Sequence, residues 1–200
     1  MFTAGAANRF AQGYRPGNNR LTVSYFRDLP AYLFIPPQGP LPGVQFRHAR
    51  ETDAQSLGRT CYAHRSKSLF QDEFQRSLRA QNTGHRVHLL AVRKERIVGS
   101  AQLIAYVRTS STFAHRVEIA DLIVDRLYRD QGIGTALIGI LEQIASHAGF
   151  TRVEIGVMAA NERALALYQR LGFTIKGELA LPGGAKAFVL YKATAAPARR

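Results

Sequence analysis

The segment Arg129-Asp130-Gln131-Gly132-Ile133-Gly134 constrains the fold of this chain more than any other stretch, because it joins two runs of different periodicity. Before it, Val117-Glu118-Ile119-Ala120-Asp121-Leu122-Ile123-Val124 is rich in β-branched residues and suits a strand. After it, Ile133, Ala136, Leu137, Ile140, Leu141, Ile144 and Ala148 recur at helical spacing until Gly149 supplies a stop. In such a strand-to-helix turn, two glycines two positions apart let backbone N–H groups approach a ligand with no side chain between. The helix points its positive end at the same spot, so a phosphate fits there. A diphosphate-bearing cofactor is the first expectation.

Gly-x-Gly alone has rivals. A dinucleotide-binding fingerprint needs a third glycine or alanine three positions after Gly134, where Leu137 stands. The acidic residue expected about 20 positions on is present as Glu154, but inside a strand-like run rather than at its end. A P-loop is excluded, since no Gly-Lys-Ser/Thr follows.

The order of elements narrows the choice further. Val44 to His48 reads as a short strand, and Thr52 with Gln55 forms a capping box opening a helix through about His64. Leu69 to about Ala80 is a second helix, with Phe70, Phe74 and Leu78 on one face. Val87 to Arg93, Ile97 to Arg108 and Arg116 to Val124 read as an antiparallel meander, its first turn at Lys94-Glu95-Arg96. After the glycine loop and its helix come a strand at Arg152 to Met158 and a helix from Asn161 to Leu171, stopped by Gly172. Phe173 to Glu178 and Ala185 to Lys192 close the chain as a hairpin around Pro182-Gly183-Gly184.

Two hundred residues favour one domain with a full core. Residues 1–43 stand apart as an extension rich in Gly, Asn, Pro and Ala. Within it, Leu21 to Phe26 and Ala31 to Ile35 are apolar enough to pack on the domain as extended segments. Residues 44–193 form the domain and 194–200 a loose tail. The extension resembles an organelle transit peptide only in its late first acidic residue, Asp28, and no apolar segment follows a basic start as in a secretory signal. No apolar run approaches the roughly 20 residues that span a bilayer, so neither a membrane nor a membrane partner is expected. The lone Cys61 excludes an internal disulfide and reads as a small buried side chain on a helix. The expected compartment is the cytoplasm.

At this point the chain resembles the GNAT superfamily of acetyl-CoA-dependent N-acetyltransferases. Arg129 to Gly134 matches that superfamily's Arg/Gln-x-x-Gly-x-Gly/Ala loop, and Asn161-Glu162-Arg163-Ala164-Leu165-Ala166-Leu167-Tyr168-Gln169-Arg170-Leu171-Gly172-Phe173 looks like its Asn…Ala-x-x-Leu-Tyr-x-x-x-Gly-Phe segment. The resemblance covers about residues 44–193. It implies an α/β (α+β) fold with a mixed, mostly antiparallel central sheet of about seven strands flanked by four helices, here with an extra N-terminal extension.

The resemblance also implies a site. The strands on either side of the glycine loop would splay, with the pantetheine arm of acetyl-CoA lying between them like a missing strand. Backbone groups of Leu122, Ile123 and Val124 would pair with its amides. The N–H groups of Gln131, Gly132, Ile133, Gly134 and Thr135 would hold the pyrophosphate, with Asp130 in the same loop and Arg129 adding charge. Asn161 would cap its helix and turn toward the cofactor. Tyr168 matches the general-acid tyrosine and Glu118 the general-base glutamate of histone-acetylating members. Asp121 is the second candidate base, but strict alternation puts it on the opposite face from Glu118 unless a bulge breaks the parity.

The implied acceptor is a primary amine on a protein, peptide or small molecule. With 27 Lys+Arg against 14 Asp+Glu, the net charge of +13 disfavours polycationic acceptors and raises an acidic protein or the amino group of a charged tRNA. A non-catalytic acetyl-CoA sensor is the expectation of another class, and a homodimer is compatible with the family. The six histidines show no metal spacing, since His85 and His88 lack an acidic or cysteine partner nearby, so no metal is expected.

Overall fold

A computed structural model describes Phe26, residues 40–106 and residues 116–194. The extended segments expected at 21–26 and 31–35 therefore lie outside the described residues, except for Phe26. That ring is buried against Phe150, with centroids 6.2 Å apart, and its N–H donates to the Gly84 carbonyl at 3.0 Å.

Seven strands form one sheet in the order β1-β2-β3-β4-β5-β7-β6. The strands are β1 (Gln45–His48), β2 (Arg86–Arg93), β3 (Arg96–Tyr106), β4 (Arg116–Val124), β5 (Arg152–Met158), β6 (Thr174–Ala180) and β7 (Lys186–Ala193). The helices are α1 (Ala54–Arg59), α2 (Lys67–Asn82), α3 (Ile133–His147) and α4 (Glu162–Arg170). All neighbouring strands pair antiparallel except β4 and β5, which are parallel and share only the pairs Glu118↔Glu154 and Ile119↔Ile155. The mixed sheet and its four helices agree with the fold expected from the sequence.

Two faces of this sheet carry two cores, as the period of two along each strand requires. Leu89, Ala101, Leu103, Val117 and Ile119 turn to the face packed by Leu137, Ile140, Leu141 and Ile144 of α3. At Gly99 a Cβ would meet Ile133 Cγ2 at 2.9 Å and Leu137 Cδ1 at 3.1 Å, so α3 lies directly on the β3 backbone there. On the other face, Leu57, Tyr62, Phe70, Phe74 and Leu78 cover Leu90, Val92 and Ile97. The β2–β3 turn closes tightly because Lys94 and Glu95 both adopt positive φ, with Arg93 opposite Arg96.

Two local expectations are corrected. The capping box at Thr52 and Gln55 is replaced by Asp53, which accepts the Arg50 N–H at 2.7 Å and the two-pronged Arg47 guanidinium at 2.7 Å on each oxygen. Helix α1 then ends at Arg59 instead of running to His64. Cys61 consequently sits in the turn beyond it, where burial pushes its thiol up to about 11.

His88 is buried beneath α2, with Ser77 Oγ at 2.9 Å from Nδ1 and Ser100 Oγ at 2.9 Å from Nε2. Burial first, and Arg86 second, pull its pKa down from 6.5 to about 3. Unfolded chains take up a proton here below that ordinary value while the folded chain does not. Stability is therefore lost as pH falls from there, by about 1.4 kcal/mol per pH unit until the folded pKa is reached. Urea titrations should show that His88→Gln shrinks the stability difference between pH 7 and pH 4.5 by about 2.5 kcal/mol.

Candidate active site

Beyond Ile119 the parallel strands separate, and the opening is floored by the end of β4, the glycine loop and α4. Gly132 begins α3 in the left-handed conformation (φ 80°) and gives the helix no side-chain cap. The first-turn N–H groups of α3 are thus left for a ligand or water. A cavity of about 750 Å³ lies against them, lined by Leu122, Ile123, Val124, Arg129, Asp130, Gly132, Ile133, Gly134, Thr135, Asn161 and Tyr168 among others. A smaller one of about 90 Å³ occupies the splay itself, between Ala120-Asp121-Leu122 and Gly156-Val157-Met158, and also touches Asn161 and Tyr168.

Eleven of the twelve residues expected to contact the cofactor therefore border one opening. Gln131 does not. Its side chain turns away, accepting from Arg93 Nη1 at 2.9 Å and donating to the Leu127 carbonyl. Arg129 donates from Nε to the Val124 carbonyl at 3.2 Å, which fixes the turn while the residue stays exposed. Asp130, at φ 61°, pairs with Arg163 of α4, linking loop and helix. Asn161 caps α4 by accepting the Ala164 N–H at 3.2 Å.

Tyr168 projects from α4 with only 6% exposure, beside Phe173. Among the described residues nothing hydrogen-bonds its hydroxyl, and the residue lines both cavities. Burial pushes the phenol up to about 12, so it remains a proton donor at neutral pH.

The two β4 carboxylates differ in placement. Glu118 is buried, accepts the Tyr106 hydroxyl at 2.9 Å and lines neither cavity. Asp121 sits in a β-bulge, because the register steps from Gln102↔Ala120 to Ser100↔Ile123 and sets both Asp121 and Leu122 against Ala101. Its φ of 48° breaks the alternation, so the carboxylate reaches the α2 side of the sheet. There Arg65 Nη2 donates to Oδ1 at 3.0 Å and Gln102 Nε2 donates to Oδ2 at 3.1 Å. Burial lifts this carboxyl above the ordinary carboxylate value, against the pull of Arg65. Arg65 in turn pairs with Glu73 of α2 and stacks on the Tyr62 ring, 4.7 Å from its centroid. Arg65 and Glu73 carried no motif in the sequence; only the fold brings them to β4. No cluster of His, Cys, Asp and Glu among the described residues could hold a metal ion.

Residues 52–173, more than half of the chain, match the model of the acetyltransferase (GNAT) family, and the chain belongs to that family. It is similar to the glucosamine 6-phosphate N-acetyltransferase of Trypanosoma brucei brucei, 37% identical over 81 residues that make up 39% of this chain and 51% of that protein. The chain thus spans about half the length of that curated relative. Among solved structures it resembles Arabidopsis thaliana NAA60 in complex with a bisubstrate analogue, at a TM-score of 0.60 and 22% identity over 75% of this chain and 97% of the other. It likewise resembles the ribosomal-protein-alanine N-acetyltransferase of Brucella melitensis, at a TM-score of 0.61 and 23% identity over 74% and 98%. These structures share the fold. No helix among the described residues is long and apolar enough to cross a membrane.

Proposed function

We propose that the protein is a cytoplasmic enzyme that transfers the acetyl group of acetyl-CoA to a primary amine by direct attack in a ternary complex. The observation that carries this reading is the opening between β4 and β5, with the uncapped start of α3 and Tyr168 both in its lining. The residues fit the donor. A Cβ added at Gly134 would lie 3.7 Å from Leu167 Cδ2 and Val124 Cγ2, both of which line the cavity, so a side chain there would grow into the space for the ligand. Bound acetyl-CoA supplies an acyl carbonyl activated by its thioester.

The chain's own groups divide the remaining work. N–H groups of Gly132, Ile133, Gly134 and Thr135 hold the pyrophosphate, and Arg129 adds charge beside it. The open edge of β4 from Leu122 to Val124 binds the pantetheine amides, and the N–H of Ile123 or Val124 meets the charge that develops on the carbonyl oxygen. Tyr168 donates a hydrogen bond to the departing sulfur. A lysine-like amine with a pKa of ~10.4 arrives protonated, so a base helps. Of the two β4 carboxylates, Asp121 borders the opening and takes the proton in this reading, while Glu118 stands behind it.

A thiol-release screen with peptides, small amines and aminoacyl-tRNA tests the reaction, alongside calorimetric binding of acetyl-CoA. Turnover on at least one amine supports it; tight binding with no turnover on any acceptor makes the protein a binding module instead. Gly134→Val should raise the KM for acetyl-CoA about ten-fold or more, since its branches fill the cavity, with Gly134→Ala affected less.

A further inference from the structure

We propose that the acceptor amine carries an anionic group, a carboxylate or a phosphate, and that Arg86 receives it. This rests on the acyl-transfer reading and names the class of its acceptor.

Arg86 opens β2 and stands in register with Ile104 of β3, which is itself opposite Glu118 of β4. Its guanidinium lies on the α2 side of the sheet, the side to which the bulge turns Asp121. Nη1 donates to Gln102 Oε1 at 2.7 Å, and Nε is fully buried with no partner. Among the described residues no carboxylate lies within ion-pair distance of Arg86. Asp121 is at one remove, and its two oxygens are already engaged by Arg65 and by the Nε2 of the same Gln102. Burial draws the guanidinium pKa down; Tyr106 and Asp121 pull it back up without reversing that shift, and a second cation, Arg76 of α2, adds to the lowering. Arginine does not shed its proton in proteins, so a largely buried positive charge with no direct ion-pair partner among the described residues persists.

Such a charge is costly to a fold unless an anion arrives to meet it. Gln102 sets where that anion belongs. One end of its amide touches Arg86 and the other touches Asp121, so cation and candidate base stand on the order of 7 Å apart, two hydrogen bonds and one amide. An acceptor whose amine approaches Asp121 can lay an anion on Arg86 across that span. The chain's excess of cations draws such a molecule toward the site.

The test uses matched amines with and without the anion: 4-aminobutanol against 4-aminobutanoate, and ethanolamine against O-phosphoethanolamine. We expect kcat/KM to favour the anionic member of at least one pair by about 30-fold, a charge-assisted hydrogen bond's worth. Arg86→Met should reduce that preference to within about three-fold, and Arg86→Lys should leave it intermediate. With coenzyme A saturating, so that the glycine loop is occupied, inorganic phosphate should raise the Tm of the wild type and not that of Arg86→Met. The free variant should melt no lower than the wild type, because it removes an unpaired buried charge; a merely structural arginine would lower the Tm instead.

Equal turnover within both pairs, or a preference that survives Arg86→Met, overturns the proposal. A phosphate shift of the same size in both proteins does so too. If no amine is acetylated although acetyl-CoA binds, the acyl-transfer reading falls, and the phosphate shift alone decides whether Arg86 is an anion site. Should Arg86→Met not fold, Arg86→Gln, which keeps a donor for Gln102, serves in its place.

Discussion

Asp121→Asn should lower kcat/KM for an amine acceptor by about 100-fold at pH 7, the lower end of what a positioned base contributes. Asparagine keeps the shape and can still accept from Arg65, so the fold and acetyl-CoA binding should persist. The pH profile distinguishes lost proton transfer from lost packing. In the wild type, activity should fall as pH drops through the raised pKa of Asp121 and should stay level above it until the amine itself deprotonates. In the variant the rate should climb with unit slope toward the amine pKa of ~10.4, since only amine that is already neutral can then attack. Glu118→Gln, at a buried carboxylate that borders neither cavity, should change kcat/KM by less than about three-fold. The reverse ranking of the two variants would return the base to Glu118.

Tyr168→Phe should lower kcat at least about ten-fold and leave acetyl-CoA affinity nearly unchanged. The ring stays, and with it the packing against Phe173. Only the hydroxyl goes, and among the described residues it has no hydrogen-bond partner to leave stranded. Stability should thus be close to that of the wild type. In free solution a phenol is a poorer acid than a thiol, and burial makes this one weaker still, up to about 12. Its contribution is therefore a hydrogen bond to developing negative charge in a dry cleft rather than a completed proton transfer. No pH dependence between 6 and 9 should arise from it. Single-turnover thiol release with saturating acetyl-CoA measures the loss, and an unchanged rate removes Tyr168 from the mechanism.

What the sequence made legible follows from the range over which each constraint acts. The glycine loop, the Asn161 cap and the stop at Gly172 are local, because each residue type is demanded by the backbone within one turn of itself. β4 was readable to its ends, since its β-branched residues fill a buried centre. The bulge inside it was not. It needs neither glycine nor proline, and an aspartate at φ 48° looks like any other strand aspartate until β3 is laid beside it. The start of α1 was misplaced for a related reason. Thr52 and Gln55 have the spacing of a cap, but Arg47, a strand residue, clamps Asp53 and moves the cap by one position. Arg65, Glu73 and Arg86 were silent because their significance depends on side chains from three different elements.

The brief seam between β4 and β5 bears on how the whole chain comes apart. Four strands lie on one side of it and three on the other, with two residue pairs between them. The apolar contacts of α3 with strands on both sides join the halves in addition to the sheet's own short ladder. A molecule seated in the seam would act as a fastener, merging two weakly joined unfolding units into one. The donor site would then set the cooperativity of the fold as well as the chemistry it performs.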